Sequence, residues 1–206
     1  MLIIGSGGLV LQMLDDLWEQ YKSNISFWIN RPSGSKIVSN DFEVFFGDES
    51  LGEALKKNEM RCIIGVGGPG NRLHLFEHLE SFGARPTSFF SEKSIISKFS
   101  VLDIGCLVLH ASVIEAGVYL GKGCLINTNV IITHECKIGD FVEVGPGAIL
   151  CGNVSIGNNT FIGAGATILP GIKIGENSII GAGSVVTKNI NDSAIVVGNP
   201  AKLIER

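Results

Sequence analysis

Apolar residues recur at every sixth position from Ile96 to Val186, sixteen in succession, and each is Ile, Leu or Val. An isolated helix has a period near 3.6 and an alternating strand a period of 2, and neither accounts for this spacing. A six-residue period belongs to a solenoid that turns a corner at every hexapeptide, a parallel β-helix. With the apolar residue as position one, position two is Gly at 121, 139, 145, 157, 163, 175 and 181, which suits tight corners with positive φ. Position five is small or modestly apolar, from Cys106 and Ser112 to Ser178 and Ser184. Each hexapeptide therefore sends one large and one small side chain inward, as close packing requires. Three hexapeptides make one triangular coil. Fifteen steps make about five coils at the ~4.8 Å spacing of parallel strands, a prism about 24 Å tall whose ends need caps. The pattern leaves the hand of the coil open.

Residues 1–90 have a different texture. Met1–Ile4 reads as a strand that opens into Gly5-Ser6-Gly7-Gly8. Leu9–Tyr21 follows as a helix with Leu11, Leu14 and Trp18 on one face. Ile25–Ile29 reads as a strand, Leu51–Lys57 as a helix and Arg61–Val66 as a strand. That strand ends in a second Gly-rich turn, Gly65 to Gly70, before a helix from about Asn71 to Phe82. Alternating β and α elements joined by Gly-rich turns predict a small parallel-sheet domain of Rossmann type, which binds ligands at the carboxyl ends of its strands. The chain thus divides into an α/β domain over 1–90 and a β-helix domain over 91–206.

Bulk properties narrow the options. The 206 residues carry a net charge of −4, and no Lys/Arg run marks a nucleic-acid surface. No apolar run reaches the ~18 residues of a membrane span, and the N-terminus lacks the basic and apolar regions of a signal peptide. A cytoplasmic protein is expected. The five Cys include no CxxC pair, so neither a disulfide framework nor a zinc knuckle is indicated. Cys106, Cys124 and Cys136 take the inward position of the repeat and read as inert core thiols, whereas Cys151 falls at a corner.

The first Gly-rich turn invites a dinucleotide reading, but the third glycine of GxGxxG would fall on Val10. The acidic residue expected after the second strand is replaced by Asn30-Arg31-Pro32. A phosphate resting on the amides of Gly7 and Gly8 at a helix N-terminus fits the turn, and so does a tight turn with no ligand. His74 and His78 stand four apart on a predicted helix, a metal-ligand spacing without a third ligand. His110 and His134 both occupy position three, but four hexapeptides apart they fall on different faces of a three-sided coil. This argues against a stacked zinc site of the carbonic anhydrase kind. Within Thr133-His134-Glu135-Cys136, a solenoid-edge histidine beside a carboxylate is a candidate general base. A plain surface pair is the alternative.

These features together carry a resemblance: the Gly-rich first turn, the hexapeptide coil, Asn127-Thr128, His134-Glu135-Cys136, and the ending Val197-Gly198-Asn199-Pro200-Ala201-Lys202. The chain resembles the sugar acyltransferases of the sialic acid O-acetyltransferase type, a branch that includes bacterial N-acetyltransferases of nucleotide-linked 4-amino sugars. The resemblance implies a left-handed β-helix, a homotrimer, and acetyl-CoA in the groove between subunits without a metal. It implies catalysis by His134 with Glu135 as its acidic partner. It places the cofactor along Glu143, Gly152, Ala164 and Ala182, with Asn127 near the reaction centre. The nucleotide-sugar would rest on Gly5, Ser6, Gly7, Gly8 and Leu9 and on Asn30 and Arg31. Leu9 stands where the family usually has a His, Asn30-Arg31 replace a common acidic pair, and Glu143 replaces a frequent His. The implied activity is N-acetylation of a nucleotide-linked 4-amino sugar for a bacterial lipopolysaccharide or capsule. The alternatives are O-acetylation of sialic acid or another sugar, and a non-catalytic nucleotide-binding trimeric scaffold.

Overall fold

In the computed structural model, which describes residues 1–22, 24–30 and 41–204, the hexapeptides fold as the flat faces of a three-sided parallel coil. Face I stacks Ile95–Ile96, Val113–Ile114, Ile131–Ile132, Ile149–Leu150, Thr167–Ile168 and Val185–Val186. Face II stacks Val101–Leu102, Tyr119–Leu120, Lys137–Ile138, Ser155–Ile156 and Lys173–Ile174. Face III runs from Leu107–Val108 through Leu125–Ile126, Glu143–Val144, Phe161–Ile162 and Ile179–Ile180 to Ile195–Val197. Partners in register stand eighteen residues apart, as in Val113 with Ile131 and Glu143 with Phe161.

Large position-one residues and small position-five residues fill the coil together. From Val108 to Val186 the position-one side chains are at most 3% exposed. All fourteen position-five residues from Cys106 to Ser184 are buried, with Ile172 the most open at 9%. Ile96 and Leu102 in the first coil are only partly buried, because each coil is covered by its neighbours alone. At the other end, Ile195–Val197 pairs in parallel with Ile179–Ile180, and Lys202–Leu203 folds back antiparallel upon it.

The glycines do a different job from the one the repeat predicts. Positive φ falls at position four, on Gly105, Gly117, Gly123, Gly147, Gly165, Gly171 and Gly183, and on Asn129, Asn153, Asn159 and Asn177. None of the position-two glycines has it. They are small because the next coil lies against them: a Cβ on Gly163 would come within 2.5 Å of the Ala182 amide nitrogen, and one on Gly145 within 2.7 Å of that of Ala164. Where position four is neither Gly nor Asn, the left-handed conformation is held by Ala111, Glu135 and Phe141.

The molecule separates into two compact units, Met1–Gly67 with Asn71–Phe89, and Gly68–Gly70 with Phe90–Arg206. The first is an α/β unit. Its strands are β1 (Leu2–Ile4), β2 (Ser26–Ile29), β3 (Glu43–Phe46), β4 (Arg61–Ile64) and β5 (Arg85–Pro86). They form one parallel sheet in the order β3-β2-β1-β4-β5. The helices are α1 (Gly8–Tyr21), α2 (Asp48–Lys57) and α3 (Pro69–Ser81). On α1 the buried stripe is Val10, Met13 and Leu17, whereas Leu11 and Trp18 are 41% and 50% exposed. Both stripes have helical spacing, and the sheet takes the one beginning at Val10, which directly follows the turn. Trp18 instead meets Phe42 edge to face at 6.1 Å.

Candidate active site at a corner of the coil

The corner that follows face I carries His134 at position three, with Gly152 eighteen residues later on the next coil. Gly152 leaves room for the imidazole. A Cβ there would lie 2.5 Å from His134 Cε1 and 2.6 Å from Nε2. The ring thus rests on the Gly152 backbone, and any side chain at 152 would displace it.

Glu135 follows in the left-handed conformation, with φ of 59°. Its stem crosses Gly117 of the preceding coil, where a Cβ would come within 3.2 Å of Glu135 Cγ. From there the carboxylate turns back to the ring, with Oε2 3.4 Å from His134 Nδ1. This leaves Nε2 as the imidazole nitrogen not engaged by Glu135. The side chains are 58% and 66% exposed, so a ligand can reach the pair directly from solvent. The amide of His134 donates to Oε2 of Glu115 at 2.9 Å. Nothing within one hexapeptide marks Glu115. The signal is the coil length, which stacks position 115 beneath 133 and beside His134.

Position-three amides point away from the inter-coil ladder. At Gly152, Ala164 and Ala182 they have no acceptor among the described residues. Gly152 is buried and Ala164 and Ala182 are exposed. Unclosed donors of this kind are available to a carbonyl or phosphate oxygen.

The structure brings His134, Glu135 and Gly152 to one corner. Ala164 and Ala182 lie at the corner after face III, with His110 on the same column, so within one chain they stand apart from His134. Asn127 is buried at that second corner, and its Nδ2 donates to the Val144 carbonyl at 3.1 Å. Its amide group is therefore used in the wall of the coil. Glu143 lies on face III, and its Oε2 accepts from the amide of Gly68.

Cys136 and Cys62 are sealed in the interior, whereas Cys151, beside Gly152, is half-buried. Burial pushes Cys136 up to about 11 and Cys62 up to about 12, and Cys136 Sγ donates to the Cys151 carbonyl at 3.2 Å. A thiol so protonated is a poor nucleophile at neutral pH. His74 and His78 stack on α3 with ring centroids 6.3 Å apart. Among the described residues no group of three His, Cys, Asp or Glu could hold a metal. No described helix is long and apolar enough to cross a membrane.

In the α/β unit the first turn is tightly built on one side and open on the other. Gly5 has a φ of 112°, its amide donates to Trp28 at 2.9 Å, and a Cβ there would strike Val66 Cγ2 at 2.9 Å. Gly7 is the N-cap of α1 without a side-chain cap, and nothing lies within 4 Å of a Cβ on either Gly7 or Gly8. Ser6 is buried, Leu9 half-buried and Asn30 exposed. Arg31 lies outside the described residues. Val10, which breaks the dinucleotide fingerprint, is fully buried, and its Cγ2 would touch a Cβ on Gly65 at 2.6 Å.

Comparison with known proteins extends this picture. The family profile "bacterial transferase hexapeptide (six repeats)" matches residues 153–188, and "hexapeptide repeat of succinyl-transferase" matches residues 109–134. No curated protein matches the sequence. Among solved structures, the acetyltransferase domain of PglB from Neisseria gonorrhoeae is 30% identical, with 98% of each chain covered and a TM-score of 0.89. The chain belongs to the hexapeptide-repeat acyltransferases. Other members of that family are equally similar in fold. PerB from Caulobacter crescentus, solved with CoA and GDP-perosamine, is 27% identical over 99% of this chain and 96% of its own, with a TM-score of 0.87. WeeI from Acinetobacter baumannii is 25% identical over 98% of each chain, with a TM-score of 0.86. Family membership makes the protein an acyltransferase and fixes the hand of its coil as left. The likeness spans the α/β unit as well as the coil.

Proposed function

We propose that the protein transfers the acetyl group of acetyl-CoA to the 4-amino group of a nucleotide-linked sugar. The observation that carries this reading is the end-to-end likeness to acetyltransferases, one of them holding CoA and GDP-perosamine. It is joined to a corner where a histidine rests on an unclosed amide. In this reading His134 Nε2 takes a proton from the acceptor amine as its nitrogen attacks the thioester carbonyl. Glu135 orients the ring through Nδ1 and stabilises the imidazolium that forms. The carbonyl oxygen, becoming an oxyanion, accepts from the Gly152 amide, where a donor is typically worth about 3 kcal/mol. Collapse breaks the carbon–sulfur bond, and the proton held by His134 goes to the departing thiolate. The thiol of Cys136, buried and protonated behind this corner, favours direct transfer over an acyl-enzyme.

The cofactor path named by the resemblance includes Ala164 and Ala182, which share a corner distinct from that of His134. A homotrimer reconciles the two, with one copy presenting its Ala164–Ala182 corner to the His134 corner of the next. Sedimentation analysis tests this assembly directly. The open helix N-terminus at Gly7 and Gly8 suits a nucleotide phosphate. We place the reaction in the cytoplasm, where acetyl-CoA is made, and assign it to surface-glycan assembly.

The test is thiol release from acetyl-CoA with a panel of GDP-, UDP- and dTDP-linked 4-amino sugars and with sialic acid. Release with an amino sugar, giving an amide product by mass spectrometry, is the expected result. Release with sialic acid alone would move the assignment to O-acetylation. Silence with every acceptor would remove it.

A further inference from the structure

Glu115 has no part in the mechanism above, yet it is bonded to the backbone at its centre. The repeat explains why. At the corner after face II, two successive outward amides at position three are closed by a side chain eighteen residues later on the next coil. Lys122 donates to Asp140 Oδ1 at 2.9 Å, and Asp140 donates to Asn158 Oδ1 at 2.8 Å. His134 cannot be closed in this way, because the residue eighteen later is Gly152. A side chain there would occupy the space of the imidazole, with its Cβ within 2.5 Å of the ring. The same glycine that admits the ring therefore removes the customary cap. Glu115 supplies it from the opposite side, reaching up from position two of the coil beneath at 2.9 Å.

The cap sits where the backbone most needs one. The next residue, Glu135, is left-handed at φ 59° without being Gly or Asn, a conformation that costs about 1 kcal/mol or more. Such a residue persists only where its surroundings fix it. The bond to the His134 amide constrains the peptide just before the strained one. Released from it, the His134–Glu135 segment gains freedom to relax, and the ring leaves its seat on Gly152.

Resting on the acetyl-transfer reading, we propose that Glu115 is a positioning residue that holds His134 and Glu135 in reactive register. Its recorded bond is to the backbone of His134 and not to the imidazole. Its backbone bond needs only an acceptor oxygen, so Gln can replace it and Ala cannot.

The experiment compares Glu115→Ala with Glu115→Gln in the full chain. Misplacing a catalytic group by an ångström costs about a hundredfold. Glu115→Ala is therefore expected to lower kcat about 10- to 100-fold, with KM for acetyl-CoA and for the sugar within about twofold of the parent. Glu115→Gln is expected to restore most of that rate. A purely structural role would lower melting temperature and leave kcat per folded molecule unchanged, and that result overturns the proposal. Equal losses in both variants also overturn it, since the amide oxygen of Gln would then not have served as the cap. A second readout needs no activity. The nuclear Overhauser contact between the His134 ring and the Gly152 α-protons should vanish in Glu115→Ala and persist in Glu115→Gln. If the parent protein transfers no acetyl group, the function reading fails while this contact still decides the role of Glu115. Persistence of the contact in Glu115→Ala overturns the proposal regardless of rate.

Discussion

Two corners of the same coil share a backbone and differ in what they offer to solvent. After face II, the amides of Lys122, Asp140 and Glu176 are closed by Asp140, Asn158 and Asp192 in turn. After face I, the column reads Lys98, Ala116, His134, Gly152, Pro170 and Lys188, and of its N–H groups only that of His134 has an acceptor among the described residues. A regular coil creates an outward amide at almost every corner, and a side chain of a neighbouring coil decides its fate: eighteen residues later for Lys122 and Asp140, sixteen later for Glu176. Asp or Asn there makes a ladder that stabilises the stack. Glycine there gives a ring a place to lie, and the cap on the donor comes instead from Glu115 of the coil beneath. The difference teaches that the candidate active corner is a ladder with a rung removed.

The largest expected effect comes from removing the ring itself. His134→Ala should lower kcat by roughly 10²- to 10⁴-fold, the usual scale for a lost general base. Melting temperature should hardly change, because the side chain is more than half exposed. Near-full turnover in this variant would leave the face I corner no more reactive than its neighbour. Next comes Gly152→Ala. The added methyl collides with the imidazole, so the ring must turn away while the amide stays in place. A loss of about a hundredfold in kcat is expected for such a displacement. Retained acetyl-CoA affinity, measured by calorimetry, would separate misplacement from a blocked cofactor path.

The ladder corner should respond in the opposite sense. Asn158→Ala removes the acceptor for the Asp140 amide and the 3.2 Å bond to Glu176. We expect a cost of about 1 kcal/mol in denaturant unfolding, the net worth of such bonds, with kcat unchanged. A large fall in kcat with unchanged stability would erase the distinction between the corners.

Much of this was legible in the chain, and the reasons for the exceptions are physical. The period of six gives the coil, its three faces and its inward positions, because each of those depends on residues within one hexapeptide. His134 and Glu135 could be picked out because they are adjacent. Glu115 could not, since it acts across two coils, and the ring-sized gap at Gly152 belongs to stacking and not to spacing. The repeat alone suggests positive φ for the position-two glycines, whereas their smallness serves the coil above, and Gly, which meets either need, does not reveal which. On α1, two overlapping stripes of helical period compete, and the choice between them is made by the sheet. Strand β3 has no alternation to announce it: Glu43–Phe46 reads as a short aromatic run, and its place in the sheet comes from pairing with β2.

The smallest effect separates the interior from both corners. Burial holds Cys136 up to about 11 and Cys62 up to about 12, above an unfolded thiol near 8.5. For a group whose folded value is raised, the folded state favours the protonated form, so the stabilisation is complete below the unfolded value. It is lost as pH climbs through about 9 toward the folded values. The midpoint of urea unfolding should therefore hold up to about pH 8 and decline between about pH 9 and 11. Cys136→Ala should soften that decline. It should leave kcat at pH 7.5 near the parent value, because the thiol is buried and bonds to backbone groups inside the coil, the Cys151 carbonyl among them. If Cys136→Ala instead abolished acetyl transfer while the protein stayed folded, an acyl-enzyme would replace direct attack, and the reactive element would be the interior and not the opened corner.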